Sequence, residues 1–317
     1  MIVVKLMGGL GNQMFQYALA RSLAHKRLET SFRNPPAGGY PESRNHIVDS
    51  GSRAGMTGGR QDKFFLDTSW FANQTKRVYE LNCLKIIENI APPELTEPSL
   101  TKNSGIFSLK KIFGTKPRIS IYREHGFRFD PKVLKLPDDV YLDGYWQTEK
   151  YFLNIRGVLL KEFLPKEFGA RALDYKKAIE SAENAVSVHV RRGDYVSEPN
   201  TNKYHGTCGS EYYREAAKII GDKVPNPHFF VFSDDVPWVK ENIALGDKVT
   251  YVEGCKNYED LHLMSLCRHN IIANSSFSWW GAWLNEHPDK IVVTPKKWFN
   301  EPGVDTSDLV PQGWVRV

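Results

Sequence analysis

Short apolar runs alternate with amphipathic stretches through the second half of the chain. Runs rich in Val, Ile and Phe and bounded by polar residues are typical of strands in a parallel sheet that is covered on both faces. Apolar residues recur at helical spacing over residues 211–220 and 258–267, which predicts crossover helices. We therefore expect a doubly wound α/β domain. Its strands are predicted over residues 185–189, 228–232, 248–252, 270–273 and 290–293.

The first half begins with the same kind of unit. Residues 2–7 form an apolar run that predicts a buried strand, and the glycine-rich residues 8–11 predict a tight turn. A helix is predicted over 13–26, where Phe15, Leu19 and Leu23 share one face. The pattern then fails from 31 to 62, which we interpret as a long insertion.

Composition narrows the class of protein. The chain has 317 residues, of which 41% are hydrophobic and 25% charged, so it carries enough apolar mass for one large or two medium globular domains. The formal net charge of +5 permits anionic ligands and does not indicate nucleic-acid binding. No apolar run approaches the roughly 18 residues that a transmembrane helix requires.

Cellular location is predicted from weaker signals. The amino terminus has no basic leader and no small-residue cleavage pattern, so no signal peptide is predicted. The four cysteines lie far apart without metal-ligand spacing, which favours reduced, structural thiols in a cytoplasmic protein. The locally basic stretch 92–117 suggests at most a peripheral contact with an anionic carrier or with the inner face of the membrane.

Polar side chains follow three of the predicted strands. They occupy residues 189–194, 233–235 and 274–278. In an open α/β sheet, ligands bind outside the carboxyl ends of the strands. These three segments are therefore the first candidates for a binding site.

The residue types in these segments suit a phosphorylated nucleotide. Arg191 and Arg192 each offer a planar cation that matches phosphate geometry. Residues 274–278 precede the apolar, helix-like segment 279–284, so their N–H groups and hydroxyls would face an anion. Asp234 and Asp235 can accept hydrogen bonds from a nucleobase or a ribose.

Each of these residues also has a structural interpretation. The arginines and Asp194 could form ion pairs at a strand end, and Asp235 or Ser276 could cap the helix that follows. His189 lies between two valines and could be either a pocket residue or a satisfied core histidine. Taken together on one sheet, the three segments favour the phosphorylated ligand.

The glycine-rich turn at the amino terminus departs from a dinucleotide fingerprint. Gly9 and Gly11 match its first two glycines, but Met14 stands at the third position, so an NAD enzyme is disfavoured. We expect the glycines to let the backbone approach a ligand between two domains. Asn12 and Gln13 would add neutral polar contacts.

Four motifs carry a family resemblance. Residues 8–18, 189–195, 232–235 and 274–284 together resemble the α-1,2-fucosyltransferases of glycosyltransferase family 11, especially the bacterial branch. The resemblance implies a GT-B fold, in which two Rossmann-like domains face each other across a cleft. It implies an acceptor-side domain over 1–165, a donor domain over 166–297, and a terminal segment 298–317 that packs back on the first domain.

The resemblance also implies a reaction. L-Fucose would pass from GDP-β-L-fucose, with inversion, to the 2-hydroxyl of a terminal galactose on an oligosaccharide or lipid-linked acceptor, and no metal or other cofactor would be required. Arg192 would hold the β-phosphate and absorb the charge of the leaving group. Asp194 would orient the arginine or serve as the base, Glu198 is the other candidate base, and the resemblance leaves open whether a strong base is needed. The implied donor-binding residues are Gly9, Gly11, Asn12, Gln13, His189, Arg191, Arg192, Asp234, Asp235, Asn274, Ser275, Ser276, Phe277 and Ser278.

Two other functions compete with this one. The segment Ser233-Asp234-Asp235 could hold a divalent metal, as in a GT-A-type nucleotide-sugar transferase. A non-catalytic carbohydrate-binding protein could instead stack sugars on its tryptophans. Because Trp279, Trp280 and Trp283 lie in an apolar, helix-like segment, packing in the core is the favoured role for them.

Overall fold

Two parallel sheets, each accompanied by helices, direct their carboxyl ends toward a shared cavity. The computed structural model describes residues 1–33, 64–102 and 119–317. Apart from residues 31–33, the predicted insertion lies outside the described residues. Residues 103–117 of the basic stretch lie outside them as well.

The first sheet has four parallel strands in the described part of the chain. They are β1 (Ile2–Lys5), β2 (Phe64–Asp67), β3 (Ser120–Arg123) and β4 (Val140–Asp143). Their spatial order is β2-β1-β4-β3. The helices of this half are α1 (Leu10–Arg33), α2 (Glu97–Lys102) and α3 (Arg156–Glu162). Short 3-10 helices cover Ser69–Asn73, Leu81–Cys83, Pro93–Leu95, Val133–Lys135, Glu149–Tyr151 and Leu153–Ile155.

The second sheet is larger and also parallel throughout. Its strands are β5 (Ala185–Val190), β6 (His228–Ser233), β7 (Val249–Val252), β8 (His269–Ile271), β9 (Val292–Thr294) and β10 (Val315–Arg316). They lie in the order β10-β9-β8-β5-β6-β7. The accompanying helices are α4 (Ala170–Ser181), α5 (Gly193–Ser197), α6 (Pro199–His205), α7 (Ser210–Gly221), α8 (Val236–Asn242), α9 (Asn257–Leu266) and α10 (Ser276–Leu284).

Both faces of the second sheet are covered, as predicted. In β6, Phe229 and Val231 pack with residues of α7 and α8, whereas Phe230 and Phe232 pack with residues of α4, α9 and α10. Alternate residues of a strand point to opposite faces, so the continuous apolar run of β6 serves two cores. All five predicted strands are present. The sixth, β10, is only two residues long, too short to produce a recognisable apolar run.

An aromatic core joins the two halves. Phe15 of α1 lies 4.5 Å from the ring of Trp279 and 4.8 Å from that of Trp280, both in α10. Trp279, Trp280 and Trp283 are at most 2% exposed, which confirms the prediction that they pack in the core. The GT-B prediction is confirmed as well, because two parallel α/β halves meet across a cavity.

The terminal segment contacts both halves. Strand β10 pairs with β9, so the end of the chain extends the second sheet. Asp305 and Asp308 form ion pairs with Arg128, which follows β3 in the first half. The predicted domain boundaries at 165 and 297 stay a prediction.

Candidate active site

A cavity of about 650 Å³ lies between the two halves at the carboxyl ends of both sheets. Both predicted domains contribute lining residues, as expected for a ligand held across a cleft. The predicted residues that line it are Gly9, Gly11, Asn12, His189, Arg191, Asp234, Asn274, Ser275, Ser276 and Phe277. Gln13, Arg192, Glu198, Asp235 and Ser278 do not belong to its lining.

Two helix amino termini meet in this cavity. Helix α1 begins at Leu10 and helix α10 at Ser276, and both first turns line the cavity. A Cβ atom on Gly11 would lie 2.6 Å from the backbone nitrogen of Phe277, so only glycine permits this approach. The indole of Trp280 fixes the pair by donating to the Gly11 carbonyl at 2.9 Å. Two positive helix ends with N–H groups in their first turns form a strong anion site.

The two arginines after β5 have different surroundings. Arg191 lines the cavity and pairs with Asp234 through Nη1 and Oδ2 at 2.8 Å. The register pairs Val190 with Ser233, which brings these strand ends side by side. The second carboxylate oxygen of Asp234 accepts the backbone N–H of Arg192 at 2.8 Å. Asp234 therefore orients Arg191, which supplies a fixed positive charge at the cavity wall.

Arg192 makes its contacts away from the cavity. Its Nε lies 3.1 Å from Asp235 Oδ2, and its guanidinium carbon lies 3.7 Å from the centre of the Trp238 ring. Asp235 is the N-cap of α8 and accepts the N–H of Trp238 at 3.2 Å. The structural interpretation of Arg192 and Asp235 thus matches these contacts. The predicted role of Arg192 at the β-phosphate stays a prediction.

His189 is a neutral, enclosed ring. Its side chain is almost fully buried, and Nδ1 has no hydrogen-bond partner. Burial, together with the positive charge of Arg191, lowers the pKa of His189 to about 3. The ring therefore stays uncharged at neutral pH.

The polar residues around the start of α10 have separate tasks. Ser275 caps the helix by accepting the N–H of Phe277 at 3.3 Å, a role that the sequence suggested for Ser276. Ser278 is fully buried and donates to the Ser275 carbonyl, so its hydroxyl serves the helix. The Asn274 amide donates to the carbonyls of His205 and Trp298 at 3.0 and 3.1 Å, which ties these two segments to the cavity edge.

Gln13 and Asn12 organise the first half of the site. The Gln13 amide donates to the carbonyls of Gly8 and Val78 and accepts the N–H of Glu80 at 2.9 Å. It thereby anchors the segment 74–80 to α1. Asn12 faces the cavity and accepts a hydrogen bond from Gln147 at 2.8 Å.

Of the two candidate bases, the structure describes the side chain of Glu198 alone. Glu198 forms an ion pair with Lys76 of the first half, and its side chain is 44% exposed. Asp194 lies in α5, and its side chain is outside the described part of the structure. Neither role is tested by these contacts.

Sequence reasoning missed Asp260. It lies in the first turn of α9, after β7, and lines the cavity. Its buried Oδ1 has no hydrogen-bond partner, and burial, followed by the charge of Glu259, raises its pKa to about 7. The sequence did contain a signal for Asp260, because it follows β7. The carboxyl end of β7 lies at the same sheet edge as the polar segments 189–194, 233–235 and 274–278.

Other cavity residues were also missed because they come from irregular segments. His205 ends α6, Trp70 lies in a 3-10 helix, and Lys76 and Arg77 follow in a coil. Among the described residues, no cluster of three or more His, Cys, Asp or Glu side chains is arranged to hold a metal ion. The described helices include none with the length and apolar character needed to cross a membrane.

The family is decided by a match to residues 117–317, which fit the sequence model of Glycosyl transferase family 11. The chain belongs to this family. The resemblance seen in the four motifs is therefore confirmed at family level. The cavity between the two halves is the candidate active site of a family 11 glycosyltransferase.

Relatives of this glycosyltransferase span its full length. It is 33% identical over 321 residues to an α-1,2-colitosyltransferase of Escherichia coli, covering 100% of this chain and 98% of that protein. It is 33% identical over 329 residues to the O-antigen biosynthesis glycosyltransferase WbnK of Escherichia coli, covering 98% and 99%. A shorter match, 33% identical over 155 residues, is to galactoside α-(1,2)-fucosyltransferase 1 of Lagothrix lagotricha, covering 45% of this chain and 42% of that protein.

Proposed function

We propose that this family 11 enzyme transfers L-fucose from GDP-β-L-fucose to the 2-hydroxyl of a terminal galactose in a glycan acceptor. The transfer inverts the anomeric carbon, forms an α-1,2 linkage and requires no metal. The observation that carries this proposal is the meeting of two helix amino termini beside Arg191 in one cavity. These groups suit the diphosphate of a nucleotide sugar.

The leaving group explains why so much positive charge is gathered here. As the bond between the anomeric carbon and the β-phosphate oxygen breaks, negative charge grows on the diphosphate and the sugar becomes oxocarbenium-like. Fixed donors that face this charge lower the barrier without reorganisation. Arg191, held by Asp234 at 2.8 Å, and the first turns of α1 and α10 supply such donors.

The order of the strands supports one orientation of the nucleotide. Arg191 follows β5, and β6 and β7 lie next to it on one side of the sheet. Asp260 follows β7 and carries the unpaired carboxylate oxygen. Guanine presents N–H donors along one edge, which a carboxylate can accept. The base therefore lies toward Asp260, and the diphosphate lies between β5 and β8.

A second donor deserves equal testing. One relative that matches this chain over its whole length is an α-1,2-colitosyltransferase. Colitose is fucose without the 3-hydroxyl, so GDP-colitose would present the same nucleotide and diphosphate to the site. The proposed binding of GDP is common to both donors.

The experiment offers GDP-fucose and GDP-colitose separately to lactose, N-acetyllactosamine and type 1 disaccharide acceptors, with excess EDTA in one arm. We expect α-1,2-fucosylated product with the EDTA arm unchanged, and inhibition by GDP much stronger than by ADP. Product from GDP-colitose alone would replace fucose by colitose as the donor sugar. Loss of activity in EDTA would refute the metal-independent mechanism, and no product from either donor would refute the function.

A further inference from the structure

We propose that His205 accepts the proton of the acceptor hydroxyl during sugar transfer. This inference rests on the proposed function, because it assigns the base for that reaction. His205 ends helix α6 and lines the cavity with a partly exposed imidazole. Sequence reasoning considered Asp194 and Glu198 for the base and did not consider this histidine.

The position of His205 along the sheet edge places it at the transfer end of the cavity. Asp260 follows β7, on one side of the arginine that ends β5. The carbonyl of His205 accepts a hydrogen bond from the amide of Asn274, which follows β8. The imidazole of His205 packs 5.3 Å from the ring of Phe299, which follows β9. Strands lie about 4.8 Å apart, so β7 and β8 are separated by about 14 Å in the order given. With the base near Asp260, the sugar and its acceptor lie near His205.

His205 is also close to the charge that leaves with the nucleotide. The guanidinium of Arg191 lies 5.6 Å from the centre of the Tyr195 ring, and the imidazole of His205 stacks on that same ring at 4.8 Å. One tyrosine thus contacts both the diphosphate-binding arginine and the histidine.

The backbone around His205 is fixed. Besides the Asn274 hydrogen bond, Gly206 follows it with a φ of +67°, a conformation that favours glycine. The imidazole packs against Tyr204 at 4.9 Å as well as against Phe299. A ring held by packing on several sides is preorganised to face one position, as a catalytic group requires.

Apart from Asp260, which the proposed orientation places beside the nucleobase, several titratable groups of the described cavity lining are poorly suited to this task. His189 has a pKa lowered to about 3 by burial and by Arg191, so it is a weak base. Both oxygens of Asp234 accept hydrogen bonds from the protein, and Glu80 accepts one from Asn257. Burial raises the pKa of the Cys255 thiol to about 11, so the thiol stays protonated.

The step is balanced as follows. The oxygen of the acceptor hydroxyl forms a bond to the anomeric carbon, and the bond from that carbon to the β-phosphate oxygen breaks with its electron pair leaving on GDP. The hydroxyl proton passes to Nε2 of His205, since Nδ1 is buried. The imidazolium then releases the proton to water, and the glycoside and GDP are the products.

The test compares transfer with hydrolysis of the donor in the His205→Ala and His205→Gln variants of the full chain. Loss of a general base costs about 10²- to 10⁴-fold, so we expect kcat for transfer to fall about 100-fold or more. GDP affinity and slow hydrolysis of the donor by water should stay within about twofold, since diphosphate binding is unaffected. Added imidazole should restore part of the transfer activity of the alanine variant.

The control is His228→Gln. His228 also stacks on an aromatic ring, that of Phe230, but it begins β6 at the opposite end of the sheet. The His228→Gln variant should transfer at the wild-type rate.

The Asp194→Asn and Glu198→Gln variants are measured in parallel. Transfer rates for both His205 variants within about threefold of the wild-type rate would overturn the proposal. An equal loss of transfer and of GDP binding in these variants would overturn it as well. Selective loss of transfer in the Asp194 or Glu198 variant would also overturn it. If the wild-type enzyme neither transfers nor hydrolyses either donor, the proposed function itself fails.

Discussion

Adjacent residues at the end of one strand can perform unrelated tasks. Alternate residues of an extended chain point to opposite sides, so Arg191 and Arg192 separate as they leave β5. Arg191 joins the cavity with Asp234, and Arg192 packs over Trp238 with Asp235. The two ion pairs look equivalent in the sequence, but only the pair of Arg191 and Asp234 lines the cavity.

This difference predicts different effects on kcat for two alanine variants. Arg191→Ala should lose about 10²- to 10³-fold in kcat, the usual cost of removing a preorganised donor. Arg192→Ala should keep most of its kcat and lose about 1 kcal/mol of stability, because a cation–π contact and a partly exposed ion pair disappear. Steady-state kinetics and thermal unfolding measure the two effects. An equal loss of kcat in both variants would contradict the assignment.

At the scale of elements, the site depends on how closely two helices approach. Helix α1 belongs to the first strand-turn-helix unit and α10 to the second half, and their amino termini meet at Gly11. Each helix end carries about half a positive charge, so the pair acts on a diphosphate as a single anion site. The approach is held by the Trp280 indole and by the aromatic packing behind it.

Gly11→Ala should therefore separate the two helix ends. Its Cβ would lie 2.6 Å from backbone atoms of Ser276 and Phe277, which cannot move as freely as a side chain. We expect GDP to bind at least about tenfold more weakly and unfolding to become easier by about 1–3 kcal/mol, as in other overpacked sites. Isothermal titration with GDP measures the affinity.

The control is Gly157→Ala, in an exposed part of α3. A Cβ at this position meets no atom within 4 Å, so this variant should bind GDP normally. Unchanged GDP affinity in Gly11→Ala would show that the approach is not required.

At the scale of the whole molecule, the cleft is held by contacts far from the cavity. Asp308 in the terminal segment is 12% exposed. Its carboxylate accepts the N–H of Phe129 at 3.0 Å, the side chain of Arg128 at 3.1 Å and that of Lys150. Burial alone would raise the pKa of Asp308, but the hydrogen bonds from Lys150 and Phe129 outweigh it and lower the pKa. The segment thus fastens the second sheet to the first half.

Acid should weaken the contacts of Asp308 with the first half of the molecule. Because the folded-state pKa of Asp308 lies below its unfolded value of about 3.9, its stabilisation is present above that pH and is lost as the pH falls through the folded-state pKa. Asp308→Asn should lower the free energy of unfolding by about 1–3 kcal/mol at pH 7 and by less near pH 3. Urea unfolding at both pH values measures this. Asp305→Asn is the control, because Asp305 is more exposed than Asp308 and shares Arg128 with it, and its effect should be smaller. An equal loss at both pH values would contradict the ionic role of Asp308.

The strands of the second half, the tight turn and the family could be predicted from the sequence alone. Local sequence patterns predict these features, because apolar periodicity and glycine-rich turns depend on residues that are close together in the chain. Polar strand ends also pointed correctly to the edge of the sheet, where His189, Arg191 and Asn274 line the cavity. The length of α1 was underestimated, because its polar last turns resemble the loop that follows.

Only the tertiary structure decided which polar groups face the ligand. Arg191 rather than Arg192 lines the cavity because of its direction at the strand end, and Asp260 and His205 reach the cavity from segments that the sequence did not single out. The contact between Gly11 and α10 joins residues more than 260 positions apart. Sequence patterns report neighbours along the chain, whereas a site is formed by side chains that long-range packing brings together.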